Sequence, residues 1–218
     1  MKNSYGSQSI GRREFIKSGA LAGIGVGLAL ADTASASISH APRVDRYAPL
    51  GRTGMRISDI SFGADRLSPS DENLVRHAVD RGINYFDTAE TYRGGESETA
   101  LGNALRGNRK NVFLVSKTLA WPDTNRRAIM QALEGSLRRL QTDHVDVYFN
   151  HAVNDLTRLK NPEWYEFAEA AKKQGKLRFT GMSGHAGNLI ECLDYAIDSG
   201  HFRRDSVWMC CNFGGVGW

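Results

Sequence analysis

The chain has 218 residues, 41% apolar and 24% charged, with 23 glycines and 5 prolines. That is room for one sizeable core or two small ones, and it excludes a disordered or Pro-rich chain. The formal charge is +4, and Lys2, Arg12, Arg13 and Lys17 against Glu14 place a surplus of three at the very start. About one charge is left for the remainder, so there is no concentrated basic face for nucleic acid.

Residues 1–36 read as an address. Gly11-Arg12-Arg13-Glu14-Phe15-Ile16-Lys17 is followed by an apolar run of 14 residues, Ser18 to Ala31, that contains four glycines. The run is too short and too weak to span a bilayer, so no stable membrane span is expected in a mature chain. Ala34-Ser35-Ala36 suits a cleavage site before Ser37. The arginine pair resembles a bacterial twin-arginine signal, with Gly11 where Ser or Thr is usual. That resemblance implies a periplasmic or otherwise exported protein, carried folded by the twin-arginine machinery. Residues 37–46 read as a linker.

From residue 47 the pattern is regular. Gly51 and Gly54 mark a turn between two short strands, a hairpin ahead of the main fold. Strands are expected at 60–63, 83–87, 112–117, 145–151, 177–183 and 206–212. Helices are expected at 70–80, 97–105, 124–140, 162–174 and 188–199. Ser70 is expected to cap the first helix, with Leu74, Ala78 and Val79 on its inner face. Ile129, Leu133, Leu137 and Leu140 form the stripe of the longest helix. Pro162 opens the next helix, and Gly175 follows its end. Cys192, Cys210 and Cys211 are too few and too clustered for a disulfide framework and read as small core residues.

Strict β-α alternation predicts a parallel sheet. An open doubly wound sheet often carries G-x-G-x-x-G after its first strand, and here Gly63-Ala64-Asp65-Arg66 stands there, so a barrel is preferred. Catalytic groups in such barrels collect at the C-terminal strand ends. The second strand ends in Asp87, the third in Lys117 and the fourth in His151, with Tyr92 five residues after Asp87. Singly, these residues would be a cap, a solvated lysine and a structural histidine. Together they share one rim. A Tyr hydroxyl has an ordinary pKa of about 10. A nearby ammonium lowers it. Lys117 can supply that charge, Asp87 can hold Lys117, and His151 can donate to a carbonyl oxygen, which makes an acid centre for polarising C=O. Nothing in the sequence suggests a metal site.

Phe86-Asp87-Thr88-Ala89-Glu90-Thr91-Tyr92, followed by Gly94-Gly95-Glu96-Ser97-Glu98, resembles the signature of the aldo-keto reductases. Leu50-Gly51-Arg52-Thr53-Gly54, Val115-Ser116-Lys117, Asp146 to His151, and Gly175 to Ser183 resemble further family segments. The similarity runs over residues 47–212. It implies a (β/α)8 TIM-barrel domain over 47–218, NADP (or NAD) as cofactor, and hydride transfer between the nicotinamide and an aldehyde or ketone, or back from an alcohol. Tyr92 would donate the proton, Lys117 and Asp87 would tune it, His151 would orient the carbonyl, and Ser183 would hold the nicotinamide carboxamide.

The sequence departs from the family pattern in several places. Gly184-His185 follow Ser183 where many members have Asn. The Ser-Gly-His form is familiar from a bacterial subgroup, some of whose members carry an iron-sulfur tail. Trp208 aligns where many members place a carboxamide-binding Gln, and Asn150 precedes His151 in place of an apolar residue. Six main strands are expected where the family barrel has eight, so the barrel is expected to be C-terminally incomplete. The alternatives are a non-catalytic relative kept as a binding module or decaying gene product, and a pyridoxal phosphate barrel with Lys117 as Schiff base. The latter leaves Tyr92 and Asp87 without a role.

Overall fold

The computed structural model describes residues 41–185 and 187–200 in full and the backbone of 206–210. The leader, the first part of the linker, Cys211 and the side chains of Trp208 and Cys210 lie outside the described residues. The chain opens with an antiparallel hairpin, β1 (Tyr47–Pro49) and β2 (Arg56–Ser58). There follow β3 (Phe62–Gly63), α1 (Glu72–Asp80), β4 (Tyr85–Asp87), α2 (Glu96–Ala104), β5 (Phe113–Thr118) and α3 (Arg126–Leu140). Then come β6 (Val145–Asn150), α4 (Leu156–Leu159), α5 (Pro162–Lys173), β7 (Leu177–Gly184), α6 (Leu189–Asp198) and β8 (Ser206–Cys210).

Strands β3 to β8 form one sheet in sequence order, every neighbouring pair parallel. A doubly wound sheet would reverse its order at a switch point. An unreversed order with right-handed crossovers sends the helices to one face, which is the (β/α)-barrel arrangement expected from the sequence.

The two faces follow the two-residue period of a strand. Phe86, Leu114 and Tyr148 pack outward against Val75 and Ala78 of α1, Ala100, Leu101 and Ala104 of α2, Ile129 and Leu133 of α3, and Trp164 and Phe167 of α5. Tyr85, Val115, Val147 and Phe149 turn inward and cluster with Met55 of the hairpin turn. The hairpin is pinned to the N-terminal end of β4. Ser58 N–H donates to Asn84 Oδ1 at 2.7 Å, and Asn84 Nδ2 donates to the Arg56 carbonyl at 2.9 Å. The inner face is therefore closed by apolar side chains at its N-terminal end, and polar side chains collect at the other. Cys192 is fully buried beside Val153 and Met182, a core residue as expected.

Some local expectations shift. A single 3-10 turn at Pro69–Asp71 precedes α1, and Ser70 does not cap the helix. Ser68 bonds Asp71 instead, through its N–H at 2.9 Å and its hydroxyl at 2.6 Å. Of the expected inner face, Ala78 is buried and Val79 packs against the core, while Leu74 is 57% exposed and Val75 is buried in its place. The short α4 was not foreseen, since four residues carry no readable period; Asp155 caps it by accepting from Thr157 N–H at 2.7 Å. The long helix keeps its expected stripe, with Ile129, Leu133, Leu137 and Leu140 all buried. Among the described residues no helix is long and apolar enough to cross a membrane.

Helices α2 and α3 touch backbone to backbone at Gly102. A β-carbon there would stand 2.6 Å from the Arg139 carbonyl oxygen and 2.7 Å from the Leu140 carbonyl carbon. Helix propensity alone favours alanine by about 1 kcal/mol. Backbone atoms cannot rotate away, and overpacking costs about 1–3 kcal/mol. Gly102→Ala is therefore expected to lower stability by about 1–2 kcal/mol in urea unfolding. A variant at least as stable as the parent would show that the helices can part at no cost.

Candidate active site

Asp87 ends β4, Lys117 is the fifth of six residues in β5, His151 directly follows β6, and Ser183 is the penultimate residue of β7. The parity that turns Tyr85, Val115 and Phe149 inward turns Asp87, Lys117 and His151 inward as well. All of them reach the C-terminal rim.

Lys117 is 2% exposed, and its ammonium has three acceptors around it. They are Asp87 Oδ1 at 2.5 Å, the Thr88 carbonyl at 2.8 Å and the Tyr92 hydroxyl at 3.2 Å. An ammonium has three protons, so the site uses every one. Tyr92 stands over His151 edge to face, with ring centroids 5.4 Å apart. Thr91 Oγ1 lies 3.3 Å from His151 Nδ1. The four ionisable residues picked from the sequence are thus one contiguous group.

Tyr92 reaches this group because its loop is fastened to β5. Thr88 N–H donates to the Val115 carbonyl at 2.9 Å and Glu90 N–H to the Lys117 carbonyl at 3.1 Å. The Thr118 hydroxyl also bonds the Glu90 carboxylate. After Tyr92 the backbone turns through left-handed conformations at Arg93, Gly94 and Gly95 (φ 50°, 64° and 96°). Gly95 suits the left-handed backbone there, and a β-carbon would also push the Arg139 side chain, 2.8 Å away, from its place.

Behind the rim lies a buried carboxylate with no role assigned from the sequence. Glu98 of α2 is fully buried, accepts from Ser116 Oγ at 2.5 Å and from Arg139 Nε at 2.6 Å, and so anchors α2 to β5 and α3. Its signal was visible as a charge on the buried side of a helix, next to the motif. Thr91, Glu90, Thr118, Asn150 and Arg158 were likewise not singled out as parts of the site.

Burial pushes the Tyr92 phenol above its ordinary value, outweighing the opposing ammonium of Lys117, while Asp87 adds to the rise. The expected lowering by Lys117 is present but does not prevail, because the phenolate loses water and Asp87 neutralises much of the ammonium's field. Burial likewise raises Asp87, against the pull of Lys117. His151 moves the other way, down to about 4, through burial and the charges of Lys117, His185 and Arg158. Near neutral pH it is a neutral imidazole and carries one N–H donor.

Two atoms at this rim suit a polar cofactor. Asp87 Oδ2 is buried without a hydrogen-bond partner among the described residues, an acceptor awaiting a donor. Ser183, 1% exposed, accepts from Ala152 N–H at 3.2 Å, which leaves its own O–H to donate. Gly184, which follows Ser183, is required locally. A β-carbon would stand 2.7 Å from the Val153 carbonyl oxygen and 2.7 Å from Leu189 Cδ1. Trp208 pairs by backbone with Met182, and its side chain lies outside the described residues.

Residues 60–200 match the family model described as "Aldo/keto reductase family". Aldo-keto reductase YhdN of Bacillus subtilis is 34% identical over 169 residues, 68% of this chain and 49% of that one. The aldo-keto reductase of Bacillus halodurans in its holo form superposes with a TM-score of 0.59 at 31% identity, covering 70% of this chain and 54% of the other. An aldo-keto reductase from Klebsiella pneumoniae in complex with NADPH gives 0.56 at 30% identity, over 74% and 56%. The chain spans about half, or less, of the length of the curated relatives it matches.

The low pKa of His151 sets the sign of a pH effect. Unfolded, this group binds a proton near its ordinary value of 6.5; folded, it does so only near 4. Between those values the unfolded chain holds more protons, so folding stability falls as pH drops through the window. The loss is expected to be on the order of 3 kcal/mol at most. Urea unfolding at pH 7 and pH 4.5 checks it: His151→Gln should show a clearly weaker decline than the parent, and identical declines would place the titration elsewhere.

Proposed function

The chain belongs to the aldo/keto reductase family, and on that footing we propose that it is an oxidoreductase using NADP(H), or NAD(H), to reduce an aldehyde or ketone to an alcohol or to run the reverse. One contact carries the reading: the buried Lys117 ammonium between the Asp87 carboxylate and the Tyr92 hydroxyl. A lysine held there for stability alone would have little reason to spend a proton on a tyrosine at the rim.

In this reading Tyr92 gives its proton to the carbonyl oxygen of the substrate. Its raised pKa keeps it protonated until that moment. Lys117 stabilises the phenolate left behind, because 3.2 Å is close enough for a charge-assisted bond. Asp87 keeps Lys117 charged and aimed. Neutral His151 donates its N–H to the same carbonyl oxygen and orients it without competing for the proton. Ser183 and Asp87 Oδ2 would hold polar groups of the cofactor, and the bound nicotinamide supplies the hydride. NADPH in the Klebsiella relative supports the choice of cofactor. The pyridoxal phosphate alternative is disfavoured, because a Lys117 with three hydrogen-bond acceptors is a poor amine nucleophile.

The purified chain is expected to oxidise NADPH in the presence of a simple aldehyde, followed at the nicotinamide absorbance band. Tyr92→Phe should lower kcat by roughly a hundredfold or more while NADPH binding, read by fluorescence, is kept. An unchanged rate in that variant would remove Tyr92 from the proton-donor role.

We further propose that residues 1–36 direct export by the twin-arginine route, so that the protein works outside the cytoplasm. Replacing both Arg12 and Arg13 by Lys should retain it in the cytoplasm on cell fractionation; continued export would rule out that route.

A further inference from the structure

The fold buries a second cation close to the site, and its contacts have a direction. Arg158, in α4 after β6, is 2% exposed. Its Nη2 donates to Asn150 Oδ1 at 2.7 Å and to the His151 carbonyl at 2.8 Å. Its Nη1 donates to the Ala152 carbonyl at 2.8 Å and its Nε to the Ala120 carbonyl at 3.0 Å. The guanidinium lies 4.6 Å from the ring centroid of Trp121. No carboxylate forms an ion pair with it among the described residues.

A buried cation is costly even with the Asp155 carboxylate near enough to offset part of the loss of water, and a neutral side chain could tie down a loop at less expense. What a guanidinium adds is a rigid planar fork that fixes several oxygens at once. Here those oxygens belong to three consecutive residues, 150, 151 and 152, and to Ala120, three residues past Lys117. The fork therefore ties the end of the strand bearing Lys117 to the end of the strand bearing His151.

The peptide it grips is one that would not hold itself. Ala152 has φ 52°, a left-handed conformation that costs a non-glycine residue about 1–2 kcal/mol. His151 N–H donates to the Thr118 carbonyl at 2.8 Å on one side. Ser183 Oγ takes the Ala152 N–H on the other. Arg158 bonds the carbonyls of both residues. With the backbone fixed on both sides, the imidazole has only its side-chain torsions left, and Thr91 and Tyr92 limit those.

We propose that Arg158 is a positioning residue for His151: it fixes the His151–Ala152 peptide and so sets where the imidazole presents its N–H on the rim. The consequence for turnover rests on the carbonyl-reductase reading, whereas the structural claim does not. Lysine cannot substitute, because three protons on one nitrogen cannot reach four spread oxygens.

The test uses the full chain labelled with ¹⁵N-histidine, as the parent, Arg158→Lys and Arg158→Ala, with His151→Gln to assign the His151 signals. In the parent at neutral pH, His151 should show one neutral tautomer. In both Arg158 variants its imidazole correlations should broaden or split into a tautomer mixture, while those of His77 and His144 hold. Millimolar guanidinium should restore the parent pattern in Arg158→Ala, and methylammonium should not. In NADPH-driven aldehyde reduction, Arg158→Lys should lose roughly ten- to a hundredfold in kcat with little change in KM. Unaltered His151 signals in a variant that is folded by circular dichroism would overturn the proposal. So would unfolding of both variants without guanidinium rescue, which makes Arg158 an anchor of the fold only. A parent that shows no turnover while its Arg158 variants disturb His151 would sink the reductase reading and leave the positioning role standing.

Discussion

The ammonium of Lys117 has lost its water, and the site is arranged around replacing it. Three protons need three acceptors, and these come from the end of one neighbouring strand, from the first peptide after it and from a tyrosine in the same loop. Each acceptor commits part of the chain. Asp87 must end β4 level with β5, Thr88 must leave that strand with its carbonyl turned back, and the following loop must bring Tyr92 around within hydrogen-bond reach. The two N–H bonds from Thr88 and Glu90 to β5 and the contact between Thr118 and Glu90 are what hold this path. The site is therefore a product of sheet register as much as of residue type.

Support comes from a second buried layer outside the sheet. Glu98, Ser116 and Arg139 join α2, β5 and α3 through one carboxylate. Arg139 also lies against Gly95, the residue at which the Tyr92 turn enters α2. Alternation places Ser116 on the outer face directly next to Lys117 on the inner one. Both side chains of that pair are held by carboxylates from the same stretch of chain, Asp87 within and Glu98 without. Breaking a buried pair of this kind by removing one partner is far more costly than never having built it.

Two of the departures from the family pattern have local counterparts in the structure. Gly184 stands where Val153 O and Leu189 leave no room for a side chain. Asn150, polar where apolar residues are usual, faces outward to Arg158 and accepts from Ala120 N–H at 3.2 Å. The loops after β5 and β6 are thereby joined by polar contacts, reinforced by Asn161 Nδ2 donating to the carbonyls of Trp121 and Thr124 at 2.9 Å each. Asn150 Oδ1 thus has two donors, Arg158 and Ala120 N–H, while its Nδ2 is buried without a partner among the described residues.

The sequence by itself determined the alternation of strands and helices, the apolar stripe of α3, and the parity that sends Asp87, Lys117 and His151 to one face. Those features follow from periods of 2 and 3.6 residues, which are local. It placed Ala78 and Val79 of α1 on the inner face but misplaced Leu74 and the cap, because a 3-10 turn opened by Ser68 comes between Ser70 and the helix and Asp71 takes the cap position. It also passed over α4, which is shorter than any period. Only the tertiary structure decided that the Tyr92 phenol is raised and not lowered, that His151 is neutral, and that Glu98 and Arg158 serve the rim. These depend on burial and on contacts between residues far apart in the chain, 25 positions from Tyr92 to Lys117 and 41 from Glu98 to Arg139. A local pattern carries no information about how much water such a pair retains, and that water sets the charge each group bears.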